Sequence, residues 1–260
     1  MPETLVSDPA EALAAAVVVA ADGSAAPAAP AETNEPNEPG AADGAESEAA
    51  AVRLATDAGL TVLAQARWPR DGAAGSAPEP VPGFAYSSFS PLVVAAAGPC
   101  LARYYGPAPV PAPEGERIAL ILASVRGDVA VARAIAKSVD SGRRMAPLLF
   151  YQSVANAVLG HLGSVWGVGG PMLCISPVTD PPADALDAAA SVLEDGDADT
   201  ALIVLAEQAC TEEEQDWSHA LLVRLETGRP RDARVGRHTT SLAGARMENW
   251  QGDCHGISTH

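Results

Sequence analysis

Hydrophobic and polar positions alternate with two different periods along the middle of this chain. Leu60-Thr61-Val62-Leu63-Ala64-Gln65-Ala66 reads as a short strand. From Phe89 to Tyr105, Leu92, Val93, Ala96 and Cys100 fall near one helical face, with Gly98-Pro99 expected to kink or interrupt it. Arg117–Ala123 is a nearly continuous apolar run after a Gly-Glu turn, the pattern of a central strand buried on both faces. Helices are predicted over Asp128–Val139, Ser153–Gly167 and Ala183–Asp195, the last ended by Gly196. Strands are predicted at Met172–Ser176, Thr200–Ala206 and His219–Leu225, the last turning at Glu226-Thr227-Gly228. Strands that alternate with helices imply a layered α/β sheet.

The flanks lack this periodicity. Residues 1–50 are low-complexity Ala, Pro, Glu and Gly, and such a segment buries too little apolar surface to offset its ordering entropy. Ala25–Ala50 is expected to be disordered, Met1–Asp22 to form a transient helix at most, and folded sequence to begin near Val52. Asp71–Pro82 and Pro107–Glu114 are Gly- and Pro-rich connectors. Beyond Arg231 no period remains. The expected division is a tail over 1–50, an α/β domain over 51–230 and a loose tail over 231–260.

Charge sharpens this division. The net charge is −17, and residues 1–50 hold ten acids with no Lys or Arg, leaving −7 for the other 210 residues. Without a basic stripe, a nucleic-acid partner is not expected. The apolar run Ala12–Ala21 follows acids, is too short to span a bilayer and does not read as a signal peptide, so a soluble cytoplasmic protein is expected. Cys100, Cys174, Cys210 and Cys254 are widely spaced, with no CxxC pair, which argues against a zinc ribbon or a disulfide scaffold. Cys254-His255 with His260 is too sparse to read as a metal site, and no cofactor is expected.

One stretch carries more than pattern. Phe150-Tyr151-Gln152-Ser153-Val154-Ala155-Asn156 leads into a small-residue helix, through Gly160-His161, to Gly169-Gly170-Pro171 and an apolar strand. This order resembles the N-terminal half of a β-ketoacyl synthase, a thiolase-like fold. Other pieces follow in family order: Ile118–Ala123 with Ser124-Val125-Arg126-Gly127-Asp128, then Ala198–Val204 with Glu207, then His219–Glu226. The resemblance runs from about Ala58 to Gly228. It implies a nucleophilic Cys at the tenth residue counted from Gly170, and that residue here is Thr179. A Thr hydroxyl needs a strong adjacent base, none is apparent, and Pro181-Pro182 is expected to spoil the tight elbow. After Gly228 only 32 residues remain, too few for the second half of a ketosynthase, and His238, His255 and His260 lack its surroundings.

The resemblance is strongest to chain-length factors, ketosynthase-like partners without the Cys, in type II polyketide systems that make reduced polyene chains. It implies a heterodimer with a ketosynthase and, through that complex, an acyl carrier protein bearing a phosphopantetheine-linked acyl chain. The strand Met172, Leu173, Cys174, Ile175 and Ser176 would pair with the partner's counterpart, closing both sheet edges. Ala155, Ala157, Gly160 and Gly163 would permit close approach. Phe150, Tyr151, Gln152, Leu159, His161 and Trp166 would line or stop an acyl tunnel, or would serve ordinary packing. Ser153 and Asn156 belong to the same tunnel and interface group, where they would order the helix start or, for Asn156, contact substrate. Arg143-Arg144 is a solvated pair or a docking point for a carrier protein or partner. Two other readings stay open: an acyltransferase or thioester hydrolase using Cys174 or Thr179, and a purely structural partner without a tunnel. A lone half is also expected to expose an apolar face and to need a partner for stability.

Overall fold

The computed structural model describes residues 41–70, 77–142, 144, 146–211 and 213–226. In chain order these form α1 (Ala41–Asp57), β1 (Leu60–Trp68), α2 (Phe89–Tyr105), β2 (Ile118–Ala123), α3 (Val129–Asp140), α4 (Pro147–Gln152), α5 (Ala157–Trp166), β3 (Met172–Ile175), α6 (Pro181–Glu194), β4 (Thr200–Glu207) and β5 (Trp217–Leu225). No helix among the described residues is long and apolar enough to cross a membrane.

The strands make one five-stranded sheet in the order β1-β5-β4-β2-β3. β2 is parallel to both β3 and β4, while β5 is antiparallel to β4 and β1. This is the layered α/β arrangement expected from the alternation of periods. β2 is the centre that its unbroken apolar run predicts: all six of its residues are buried. Ile118, Leu120 and Leu122 face a core with Leu202, Val204 and Leu222, covered by α2 and α5 through Leu92's neighbour Val93, Ala97, Leu101, Leu159 and Trp166. Ala119, Ile121 and Ala123 face a second core with Ile203, Leu205, Leu221 and Val223, covered by α6 and by Ala55 of α1.

Several boundaries differ from those read in the sequence. α1 runs through residue 50, so helical structure begins ahead of the expected start near Val52. The expectations for residues 1–40 and for the tail beyond Arg231 lie outside the described residues. Pro99 does not interrupt α2, which is one helix from Phe89 to Tyr105. The helix expected over Ser153–Gly167 is the shorter α5, Ala157–Trp166, and Ser153–Asn156 are a turn that joins it to α4, a short helix not expected from the sequence. Pro181-Pro182 does not spoil the elbow either. The pair fills the first positions of α6, where the missing N–H costs nothing, and the Asp180 carboxylate caps the helix by accepting from the Ala183 N–H at 3.3 Å.

Both faces of β2 and β4 are covered, while alternate residues of β3 are exposed. Of the twelve exposed large apolar side chains among the described residues, eight (Val139, Leu148, Phe150, Tyr151, Val154, Val165, Met172 and Val178) fall between α3 and the turn after β3.

A bulge between Val62 and Ala64 shifts the β1 register, so Leu60 and Val62 face the second core and Ala64 and Ala66 the first. The same shift sets Gln65 and Arg67 on the face shared by Leu221 and His219. Burial, with the Arg67 charge nearby, lowers the His219 imidazole from 6.5 to about 4. The unfolded chain therefore binds this proton first, and His219 costs stability as pH falls from about 6.5 to about 4. The cost approaches roughly 3 kcal/mol at the lower end. Urea melts across that window should show stability rising with pH, and His219→Gln should remove that part of the slope. An unchanged slope in the variant would contradict the neutral, buried assignment.

Candidate functional site

The site is built where β2, β3 and β4 end. After β2 the chain turns at Ser124–Asp128, with the Ser124 hydroxyl accepting from the Gly127 N–H at 2.9 Å. Asp128 caps α3 by accepting from the Val131 N–H at 2.9 Å, and burial outweighs its hydrogen bonds and pushes its carboxyl up. Glu207, at the end of β4, accepts from the Val125 and Arg126 N–H groups. Its carboxyl is also pushed up, because burial outweighs those donors. Gln208 accepts from Val129 N–H at 2.7 Å and donates to Ser88 Oγ at 2.5 Å, tying the start of α3 to the start of α2. Arg126 forks onto Glu214 at 2.6 and 3.0 Å, pinning the β4–β5 loop over this network. Asp128 Oδ1, Glu207 and Gln208 hold backbone N–H groups and so position these loops, while Asp128 Oδ2 is buried without a hydrogen-bond partner. Glu207 was visible in the sequence. Gln208 and Glu214 were not, because nothing in the local pattern marks a polar side chain that bridges segments about 80 residues apart.

Thr179 lies on the exposed turn between β3 and α6. Its N–H and that of Val178 point at Asp184 Oδ2, at 3.5 and 3.1 Å. Among the described residues nothing hydrogen-bonds its hydroxyl. Two histidines are described. His219 is on β5, three strand positions from β3, or roughly 14 Å at the usual spacing. His161, on α5, sets its ring edge-on against Phe84, with centroids 5.8 Å apart. Neither is placed as a base for Thr179. Cys174 is exposed on β3, yet the apolar groups around it push its thiol up to about 11 with no cation to offset them. It is therefore protonated at neutral pH and a weak nucleophile.

β3 is the edge of the sheet and pairs only with β2. Leu120 N–H donates to Pro171 O at 2.8 Å and Ser124 N–H to Ile175 O at 3.2 Å. Alternate residues of a strand turn to the same neighbour, so Pro171, Leu173 and Ile175 serve β2. The main-chain groups of Met172 and Cys174 therefore point outward. Leu173 and Ile175 pack on the second core, while Met172, Cys174 and Ser176 are exposed.

The side chains expected to line a tunnel separate into two groups. Leu159 and Trp166 are buried in the first core, where packing is the role the structure shows for them. Gln152, 2% exposed, accepts from Tyr86 N–H at 2.9 Å and donates to Gly83 O at 2.6 Å, fastening α4 to the loop ahead of α2. Phe150 and Tyr151 project outward at 66% and 52% exposure, and Tyr151 touches Phe84, which also contacts His161. Ser153 and Asn156 form the turn between α4 and α5, with Ser153 Oγ donating to Phe150 O at 2.7 Å and no side-chain cap from Asn156. Of the small residues, Gly163 makes the close approach: a Cβ there would sit 2.6 Å from Met172 Cε. Arg144 is exposed, while Arg143, Cys254, His255 and His260 lie outside the described residues.

The family model for the beta-ketoacyl synthase N-terminal domain matches residues 87–249. The chain belongs to this family. The match takes in everything from the start of α2 through β5, and leaves α1 and β1 ahead of it. Its layered α/β sheet is the thiolase-like fold of that family, and similar solved structures are found. The ketosynthase ApeO in complex with its chain length factor ApeC from Xenorhabdus doucetiae is 18% identical, with a TM-score of 0.50 over 64% of this chain and 78% of that one. The ishigamide ketosynthase/chain length factor is 16% identical, with a TM-score of 0.46, and the match spans 45% of that chain. A beta-ketoacyl synthase from Burkholderia phymatum STM815 is 17% identical, with a TM-score of 0.46 over 66% of this chain and 54% of that one. At 18% identity the likeness to the ApeO–ApeC structure is one of fold. No curated protein matches the sequence.

Proposed function

We propose that this ketoacyl-synthase domain is a non-catalytic, chain-length-factor-like subunit. It pairs with a ketosynthase through β3 and shapes the wall of an acyl tunnel in type II polyketide synthesis. An acyl carrier protein would reach it through that complex, delivering the phosphopantetheine-linked chain. The observation that carries the reading is the turn after β3, where Thr179, the residue that the resemblance sets at the nucleophile position, is exposed with neither described histidine placed as its base. The outward main chain of β3 supports a partner strand, since an uncovered edge invites pairing.

The wall would then be formed by side chains that now face solvent. Phe150 and Tyr151 fit that role better than Leu159 and Trp166, which already fill the core. Each buried methylene of apolar fit is worth about 0.8 kcal/mol, so a bulky stop sets chain length sterically. In the reconstituted complex, Phe150→Ala should lengthen the product, read by mass spectrometry of the released chain. A second reading, a stabilising partner with no tunnel, gains support from the burial of Gln152, Leu159 and Trp166. It predicts product of unchanged length from the same variant.

A further inference from the structure

Eight of the twelve exposed large apolar side chains among the described residues belong to one apolar strip of sequence, Val139 to Val178. Met172 on β3 lies over Gly163 of α5, Val165 is exposed on the same helix, and His161 reaches Phe84, which touches Tyr151 of α4. Phe150 is exposed on α4, which packs against α3. There the chemistry changes. Residues 126–144 hold five of the chain's sixteen Lys and Arg against two acids, in a chain of net charge −17. Arg126 is spent on Glu214. Arg133 and Lys137 are exposed one turn apart on α3, and Arg144 is exposed beyond it. Among the described residues none of these three has an ion-pair partner. Asp140 is the one acid of that helix.

Resting on the partner reading above, we infer that the ketosynthase subunit's contact surface is apolar along β3, α5 and α4 and carries carboxylates opposite Arg133, Lys137 and Arg144. A local cationic end on an acidic chain suits a compact acidic protein surface. An extended polyanion or an anionic bilayer would meet the repulsion of the whole chain, whereas a short protein contact is screened from it beyond about 8 Å. Charges at such a rim act mainly on encounter rate and orientation, while the apolar strip holds the complex.

The test measures association and dissociation rates of the full chain with ketosynthases from its own genome, at about 50 and about 300 mM salt. Arg133→Glu with Lys137→Glu should slow association about tenfold at the lower salt and flatten the salt dependence, with dissociation little changed. Arg144→Glu, outside any helix, provides a second variant with smaller effect should the first fold poorly. A wild-type complex whose association ignores both salt and these reversals overturns the inference and leaves the pairing reading intact. Absence of any complex overturns both. Salt-dependent binding to phosphatidylserine vesicles, lost in the reversal while the ketosynthase rate is unchanged, would assign the cations to a lipid surface and overturn the inference.

Discussion

Cys174→Pro is expected to leave the domain folded and to abolish its complex with a ketosynthase. The Cys174 N–H points away from β2, so the substitution removes no hydrogen bond within the sheet, and proline is tolerated on an edge strand in that position. The same N–H is the donor that an added strand would use. Its loss, with the pyrrolidine ring standing in the way, should weaken association roughly a hundredfold or more. The melting temperature should move by only a few degrees, about what 1 kcal/mol produces in a domain of this size. Cys174→Ser, which keeps the N–H, should bind like the wild type. Full binding by the proline variant would exclude edge pairing through β3.

Gly170→Ala is expected to be strongly destabilising although it adds only a methyl group. A Cβ there would lie 2.2 Å from Ile118 O and 2.7 Å from Ile118 C. The obstacle is backbone, which cannot rotate aside as a side chain can. Relief requires the start of β3 to move away from β2 and lose the Leu120–Pro171 hydrogen bond. Overpacking of this kind typically costs 1–3 kcal/mol, and an unyielding contact puts the expected loss at about 3 or above. Gly160→Ala, where a Cβ meets nothing within 4 Å, should be close to neutral and serves as the comparison. Equal denaturation midpoints for the two would contradict the close approach at Gly170.

Much of this domain was legible because its central elements obey simple periods. The apolar runs at β2 and β4 can only be strands buried on both faces, and they are. What escaped the sequence is long-range and polar. Nothing near Gln152 or Gln208 signals that each amide fastens two distant segments, so one was read as a tunnel residue and the other was overlooked. Leu159 and Trp166 were ambiguous for a different reason: apolar side chains serve a core and a tunnel equally well, and only the direction of α5 decides. Pro99 and the Pro181-Pro182 pair show the same dependence on context. Inside α2 the surrounding core outweighs one lost hydrogen bond, and at the start of α6 no bond exists to lose. The β1 bulge falls where the alternation breaks, at the three apolar residues Val62-Leu63-Ala64, and the strand changes face there.

The claim that this chain guides an acyl chain without carrying it is tested most directly by mass spectrometry of the intact, co-purified complex after exposure to an acyl-loaded carrier protein. The expected result is an acyl adduct on the ketosynthase alone, with this chain at its unmodified mass. An adduct on this chain, mapped to Cys174 or Thr179, would contradict the account and make it an acyltransferase in its own right.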